Sequence, residues 1–111
     1  MNWDYVLTEE AKKDFKKMDG TQKQIVLAML EKLRINPLPK FKGGYGIPLG
    51  NDTTTGNLST YLKLKARGFG IRIVYELIEE DGISKVIVIG MREDKKVYKQ
   101  AVKRIRQQKA D

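Results

Sequence analysis

Hydrophobic and polar positions along the chain divide it into seven segments. Trp3, Tyr5 and Leu7 alternate with polar residues, which predicts a short opening β-strand. Thr8, Glu9 and Glu10 then start a helix whose Ala11, Phe15 and Met18 recur at helical spacing and which ends at Asp19-Gly20. Thr21 and Gln24 have capping-box spacing, and Ile25, Ala28, Met29 and Leu33 form the stripe of a second helix that stops before Asn36-Pro37. The two helices read as an antiparallel helical hairpin.

Residues 37–60, "PLPKFKGGYGIPLGNDTTTGNLST", contain three prolines and five glycines and follow neither period, so the pattern predicts a long flexible loop. The "GGYG" within it lacks the strand before and the GK[ST] ending after that a phosphate loop requires. A hairpin follows, with strands near 61–67 and 71–79 joined by Arg67-Gly68-Phe69-Gly70, and "EEDG" at 79–82 makes the next turn. "ISKVIVIGMR" is apolar on both faces, as in a strand covered on both sides. Asp94 can cap a last helix in which Val97, Tyr98, Ala101, Val102 and Ile105 form the stripe before a basic tail, "KRIRQQK". The order β-α-α-β-β-β-α predicts an α+β fold: a small antiparallel-rich sheet with helices packed on it.

At 111 residues the chain is expected to be one domain with a single modest core. It has no cysteine and no histidine, which excludes disulfides, thiol nucleophiles, Cys/His zinc sites and imidazole catalysis. The opening stretch lacks an apolar signal core and no window approaches a membrane span, so a soluble cytoplasmic protein without membrane association is expected.

The formal charge is +8 and it is unevenly placed. Residues 37–75 carry six basic and one acidic side chain, whereas the flanking thirds are nearly balanced at seven to six and nine to seven. The excess falls on the hairpin and points to a polyanion, nucleic acid ahead of membrane. Within "YLKLKARGFGIRIVY", Tyr61, Lys63, Lys65 and Arg67 share one strand face while Leu62, Leu64 and Ala66 share the other.

Arg72 arrives from the neighbouring strand, Arg92 follows Gly90 at the end of the third strand, and Tyr98 lies on the first turns of the last helix. If these elements are adjacent, two lysines, two arginines and a tyrosine converge without a carboxylate. Cations aimed at phosphate oxygens stabilise a phosphodiester transition state, and a lysine crowded by like charge loses its proton more readily. RNA carries its own nucleophile, the 2′-hydroxyl, so this set suits metal-free RNA cleavage. A metal site would need converging carboxylates, and the densest acidic run, Glu79-Glu80-Asp81, reads as a solvated turn; neither metal nor cofactor is expected. Each residue also has an ordinary reading: outward strand charges for Lys63 and Lys65, pairing with Glu76 for Arg72, a strand cap beside Glu93 and Asp94 for Arg92, and a core ring for Tyr98.

Taken together, "YLKLKARGFGIRIVYELI", "VIVIGMRED" and "KVYKQAVKRI" resemble the RelE family of toxins from bacterial toxin-antitoxin systems, within the RelE/ParE superfamily. The resemblance covers residues 61–105, with agreement in layout before that. It implies a metal-independent ribonuclease that enters the ribosomal A site and cuts messenger RNA by 2′-hydroxyl attack. By motif position Lys65 would be the general base beside Lys63, Arg72 would hold the scissile phosphate, Arg92 would stabilise transition-state charge and the leaving group, and Tyr98 would stack on or orient the nucleotide. Arg67, Lys85 and Lys95 are expected to contact substrate or ribosome. The implied partners are a cognate antitoxin, forming a hetero-oligomer, together with ribosome and message. The 40–60 connection is longer than is usual in the family, and Met91 stands where some members carry another basic residue. Two alternatives stay open: a ParE-like toxin that inhibits DNA gyrase by binding, and a basic RNA-binding domain without catalysis.

Overall fold

A computed structural model describes residues 2–49, 60–91 and 96–109. Strand β1 (Asp4–Leu7) leads into helices α1 (Glu9–Lys16) and α2 (Gly20–Ile35), then β2 (Ile47–Pro48), β3 (Tyr61–Ala66), β4 (Ile71–Ile78), β5 (Ile83–Met91) and α3 (Lys96–Lys109). The five strands form one sheet in the order β1-β5-β4-β3-β2, in which only the β1–β5 pair is parallel. The expected α+β class therefore holds, and the expected element order gains one short strand. No described helix is long and apolar enough to cross a membrane.

The two sheet faces bury different sets. Leu62, Leu64, Ile71, Ile73, Tyr75, Val86 and Ile89 pack against Ala11 of α1 and against Val26, Met29, Leu30 and Leu33 of α2. On the opposite face Val74 and Val88 pack against Val97 and Ala101 of α3, while Tyr61 and Ile87 pack against its Val102 and Ile105. Ile87 and Val88 both reach the α3 side because β5 carries an extra residue opposite Val74/Tyr75, which breaks the strict alternation there. β5 and β4 are thus covered on both faces, as the apolar run of β5 predicts.

Four details correct the sequence reading. The capping box belongs to Asp19 and Gln22, not to Thr21 and Gln24. The Asp19 carboxylate accepts from the Gln22 N–H at 2.8 Å and the Gln22 side chain accepts from the Asp19 N–H at 3.0 Å, so α2 starts at Gly20. Its buried stripe is Val26, Met29, Leu30 and Leu33, spaced i, i+3, i+4, i+7, which rotates Ala28 out to the surface. Helix α1 ends at Lys16, so Met18 packs on the core from beyond the helix rather than from its last turn.

The fourth correction concerns the glycine- and proline-rich segment, of which 37–49 is built into the fold rather than loose. A 3₁₀ turn, Lys40–Lys42, precedes β2, whose Ile47 and Pro48 pair with Lys63 and Leu62. The Tyr75 hydroxyl, fully buried in the core, donates to the Pro37 carbonyl at 2.7 Å. A side chain at Gly46 would collide with that same hydroxyl and with Leu62, so glycine is what lets the segment lie flat on the core. Residues 50–59 and the Asp94 cap lie outside the described residues.

Candidate nucleic-acid site

The hairpin sequence places its cations by simple strand geometry. Antiparallel pairing sets Lys65 opposite Arg72 and Lys63 opposite Val74, and on β5 Gly90 lies opposite Arg72. Residues directly opposite share a face, and so do residues two apart on one strand, so Lys63, Lys65 and Arg72 all lie on the α3 side. The turn at 67–70 is tight because Gly68 and Gly70 adopt positive φ, +85° and +71°. It leaves Arg67 exposed beside the end of β3.

Helix α3 delivers the aromatic member. Val97 packs onto the sheet at Gly90, where a Cβ would meet the Val97 methyl at 2.8 Å, and this close seating brings the next residue, Tyr98, over the hairpin. The Lys63 Nζ lies 4.8 Å from the centre of the Tyr98 ring, within cation–π range. Tyr98 is therefore only partly a core residue: its ring touches the Val74/Val88 cluster and also forms one wall of the cationic site.

Lys63 lies close enough to lower the proton affinity of the exposed Lys65 ammonium below its ordinary value. Partial burial, Arg72 and Arg67 push the same way, and only the ionised form of the Tyr98 phenol would oppose them. Arg72 is half-buried and donates back to the Ile71 carbonyl at 3.3 Å. No described ion pair joins it to Glu76, because Glu76 faces the Tyr61 hydroxyl. Burial, reinforced by the Glu76 charge, pushes that phenol up to about 12.

Of the remaining predicted residues, Lys85 stands apart. It pairs with Glu76, four residues along β4 from Arg72 or roughly 13 Å at strand rise, and its Nζ donates to Gln108 at 3.2 Å. Arg92 and Lys95 lie outside the described residues. Among the described residues no group of three or more carboxylates gathers to hold a metal ion.

Arg104 escaped the sequence reading, which placed it in a basic tail. It is 6% exposed, and its guanidinium grips Asp14 of α1 bidentately, Nη1 to Oδ2 at 2.7 Å and Nη2 to Oδ1 at 3.0 Å, with Glu10 on Nε at 3.0 Å. Arg104 also donates to the Ile87 carbonyl at 2.8 Å, while Asp14 accepts from the Ile89 N–H at 3.0 Å. β1 pairs with β5 only over Ile83–Val86, so this ion pair satisfies the strand edge beyond it and ties α3 to α1. It fixes the helix that carries Tyr98.

No family model matches the chain. A RelE-like toxin protein of Escherichia coli is 30% identical over 107 residues, which is 96% of this chain and 100% of that protein. The mRNA interferase toxin RelE of E. coli K12 is 49% identical over 43 residues. That match covers 39% of this chain and 45% of the relative, so the chain spans under half the length of this curated relative. Among solved structures, a mutant of E. coli toxin RelE in the free state superposes with a TM-score of 0.71 at 28% identity, covering 95% of this chain and 99% of that one.

Proposed function

The chain belongs to the RelE-like toxin family, and we propose that it is the toxin of a toxin-antitoxin pair, an endoribonuclease that cuts messenger RNA on the ribosome without a metal ion. The observation that carries this reading is the meeting of Lys63, Lys65, Arg72 and Tyr98 at one end of one sheet face.

Lys65, whose proton affinity is lowered by its neighbours, takes the proton from a 2′-hydroxyl. The oxygen attacks the adjacent phosphorus, the bond to the 5′-oxygen breaks, and the products are a 2′,3′-cyclic phosphate and a 5′-hydroxyl end once that leaving oxygen takes a proton from water, while Lys65 returns its own to solvent. Arg72 holds the non-bridging oxygens, for which its planar fork of donors is suited. Arg92, assigned by motif position alone, steadies the leaving oxygen. Tyr98 orients the nucleotide beside the cut, its ring held by Lys63 on one side and the α3 core on the other.

Lys65 is exposed, so the site is an open face rather than a closed cleft. In-line attack needs the RNA held in one geometry, and a positioning partner must supply what an open face lacks. That need favours a ribosome-bound message as substrate, and such a substrate supports a cytoplasmic location. An antitoxin rich in acidic residues would complement the basic hairpin and mask it.

The test is expression from a tightly repressed promoter with mapping of message ends, Lys65→Ala alongside. Cuts phased with codons that vanish in the variant are expected. Growth arrest with intact messages and blocked supercoiling would replace this reading with gyrase inhibition.

A further inference from the structure

A second basic feature lies round the edge of β3 from the cation cluster. A groove of about 460 Å³ runs between α2, the 37–49 segment and the hairpin, within the range for ligand clefts. Lys32, Lys40, Lys65 and Arg67 line it together with Tyr45 and Phe69, over a floor of apolar side chains. No carboxylate lines it among the described residues.

Both rings are displayed rather than buried. Phe69 is 58% exposed and Tyr45 is 43% exposed, with the Lys32 ammonium 5.3 Å from the Tyr45 ring centre. Phe69 sits at the hairpin tip and Tyr45 on the 37–49 segment, so the two rings line the same groove from different elements. Rings interleaved with lysines are the means by which proteins hold single-stranded nucleic acid, bases stacking on the rings and phosphates meeting the cations. Lys65 stands on the α3 face at the β3 edge and its residue also lines the groove, so a strand crossing the cluster can continue round that edge into the groove. β2 pairs with β3 only through Lys63 and Leu62, leaving the rim near Lys65 open towards it.

We propose that this groove is a track for single-stranded RNA, holding the nucleotides of the message that flank the cut. The proposal rests on the ribonuclease reading for the identity of the strand. The segment after α2 supplies Lys40 and Tyr45 to the groove.

The test measures binding of a fluorescein-labelled 12-nucleotide RNA to the free chain by anisotropy across a salt series. Removing two phosphate contacts with Lys32→Gln/Lys40→Gln is expected to lower the slope of log K against log salt by about 1.4. Phe69→Ala is expected to weaken binding on the order of tenfold, with Phe69→Trp restoring it. The variant Lys13→Gln/Lys16→Gln, which removes the same charge from the exposed surface of α1, controls for net charge and should change the slope far less. Groove variants that bind like the wild type, or no worse than the α1 variant, overturn the proposal. Retained RNA binding with lost affinity for a synthetic acidic antitoxin peptide overturns it in favour of a peptide groove. Cutting of ribosome-bound message is measured separately: a wild-type chain that binds RNA through the groove yet cuts nothing overturns the ribonuclease reading and leaves the groove standing.

Discussion

Lys65 and Arg72 stand directly opposite each other across the β3–β4 ladder. Side chains so placed originate about 5 Å apart, close enough to act on neighbouring oxygens of one phosphodiester. If one takes the proton and the other holds the phosphate, they act as a unit. Lys65→Ala should lower the single-turnover cutting rate by about 10²–10⁴, the range for loss of a general base. Arg72→Ala should lower it by a comparable factor, and the double variant should fall little below the worse single one. Fully additive losses, measured on ribosomes programmed with a defined message, would mean the two act separately.

The lowered proton affinity of Lys65 has a kinetic consequence. Below its pKa, the deprotonated fraction rises about tenfold per pH unit, so the cutting rate should climb with that slope from pH 6 upward. Lys63 is the largest source of the depression. Lys63→Met therefore raises the Lys65 pKa, shifting the whole profile to higher pH and lowering the rate at any fixed pH on the slope. An unshifted profile in that variant would remove Lys65 as the base.

Arg104 carries a prediction about stability. Arg104→Ala strands the Asp14 carboxylate, whose side chain is 13% exposed, and should cost about 3–5 kcal/mol by urea unfolding. Replacing a whole buried ion pair by apolar groups is often harmless. Here it should not be, because this pair also satisfies the Ile87 carbonyl and the Ile89 N–H. Asp14→Leu/Arg104→Met should still lose roughly 2 kcal/mol or more for two orphaned backbone groups.

Gly46 lies against the Tyr75 hydroxyl, which bonds Pro37. Gly46→Ala should push the 37–49 segment off the core and lower the midpoint of thermal unfolding more than Tyr75→Phe, which costs about 1–2 kcal/mol through the lost bond alone. Because Lys40 and Tyr45 sit on that segment, Gly46→Ala should also weaken RNA binding.

Much of this was legible in the chain because it followed period. The alternation of Leu62, Leu64 and Ala66 with Lys63 and Lys65 set both faces of the hairpin, and the doubly apolar run at 83–91 marked a covered strand. What was hidden depended on long-range partners. Nothing local in "PLPKFKGGYGIP" reveals that Tyr75, far along the chain, will hold it down. Two caps of the same spacing, Asp19 with Gln22 and Thr21 with Gln24, competed within six residues, and the earlier one prevailed. Arg104 could have been found: it falls three residues after Ala101 on the buried face of α3, and Asp14 falls between Ala11 and Phe15 on the buried face of α1. A charge at such a position calls for an opposite charge on the facing helix.

The most direct test of the central claim uses purified chain, ribosomes and a message carrying a single 2′-deoxynucleotide on the 5′ side of the mapped cut. The account predicts that cutting at that position stops, that it resumes with the ribonucleotide and leaves a 2′,3′-cyclic phosphate, and that Lys65→Ala binds the same complex without cutting. Cleavage that persists on the 2′-deoxy message, or in Lys65→Ala at the wild-type rate, would contradict it.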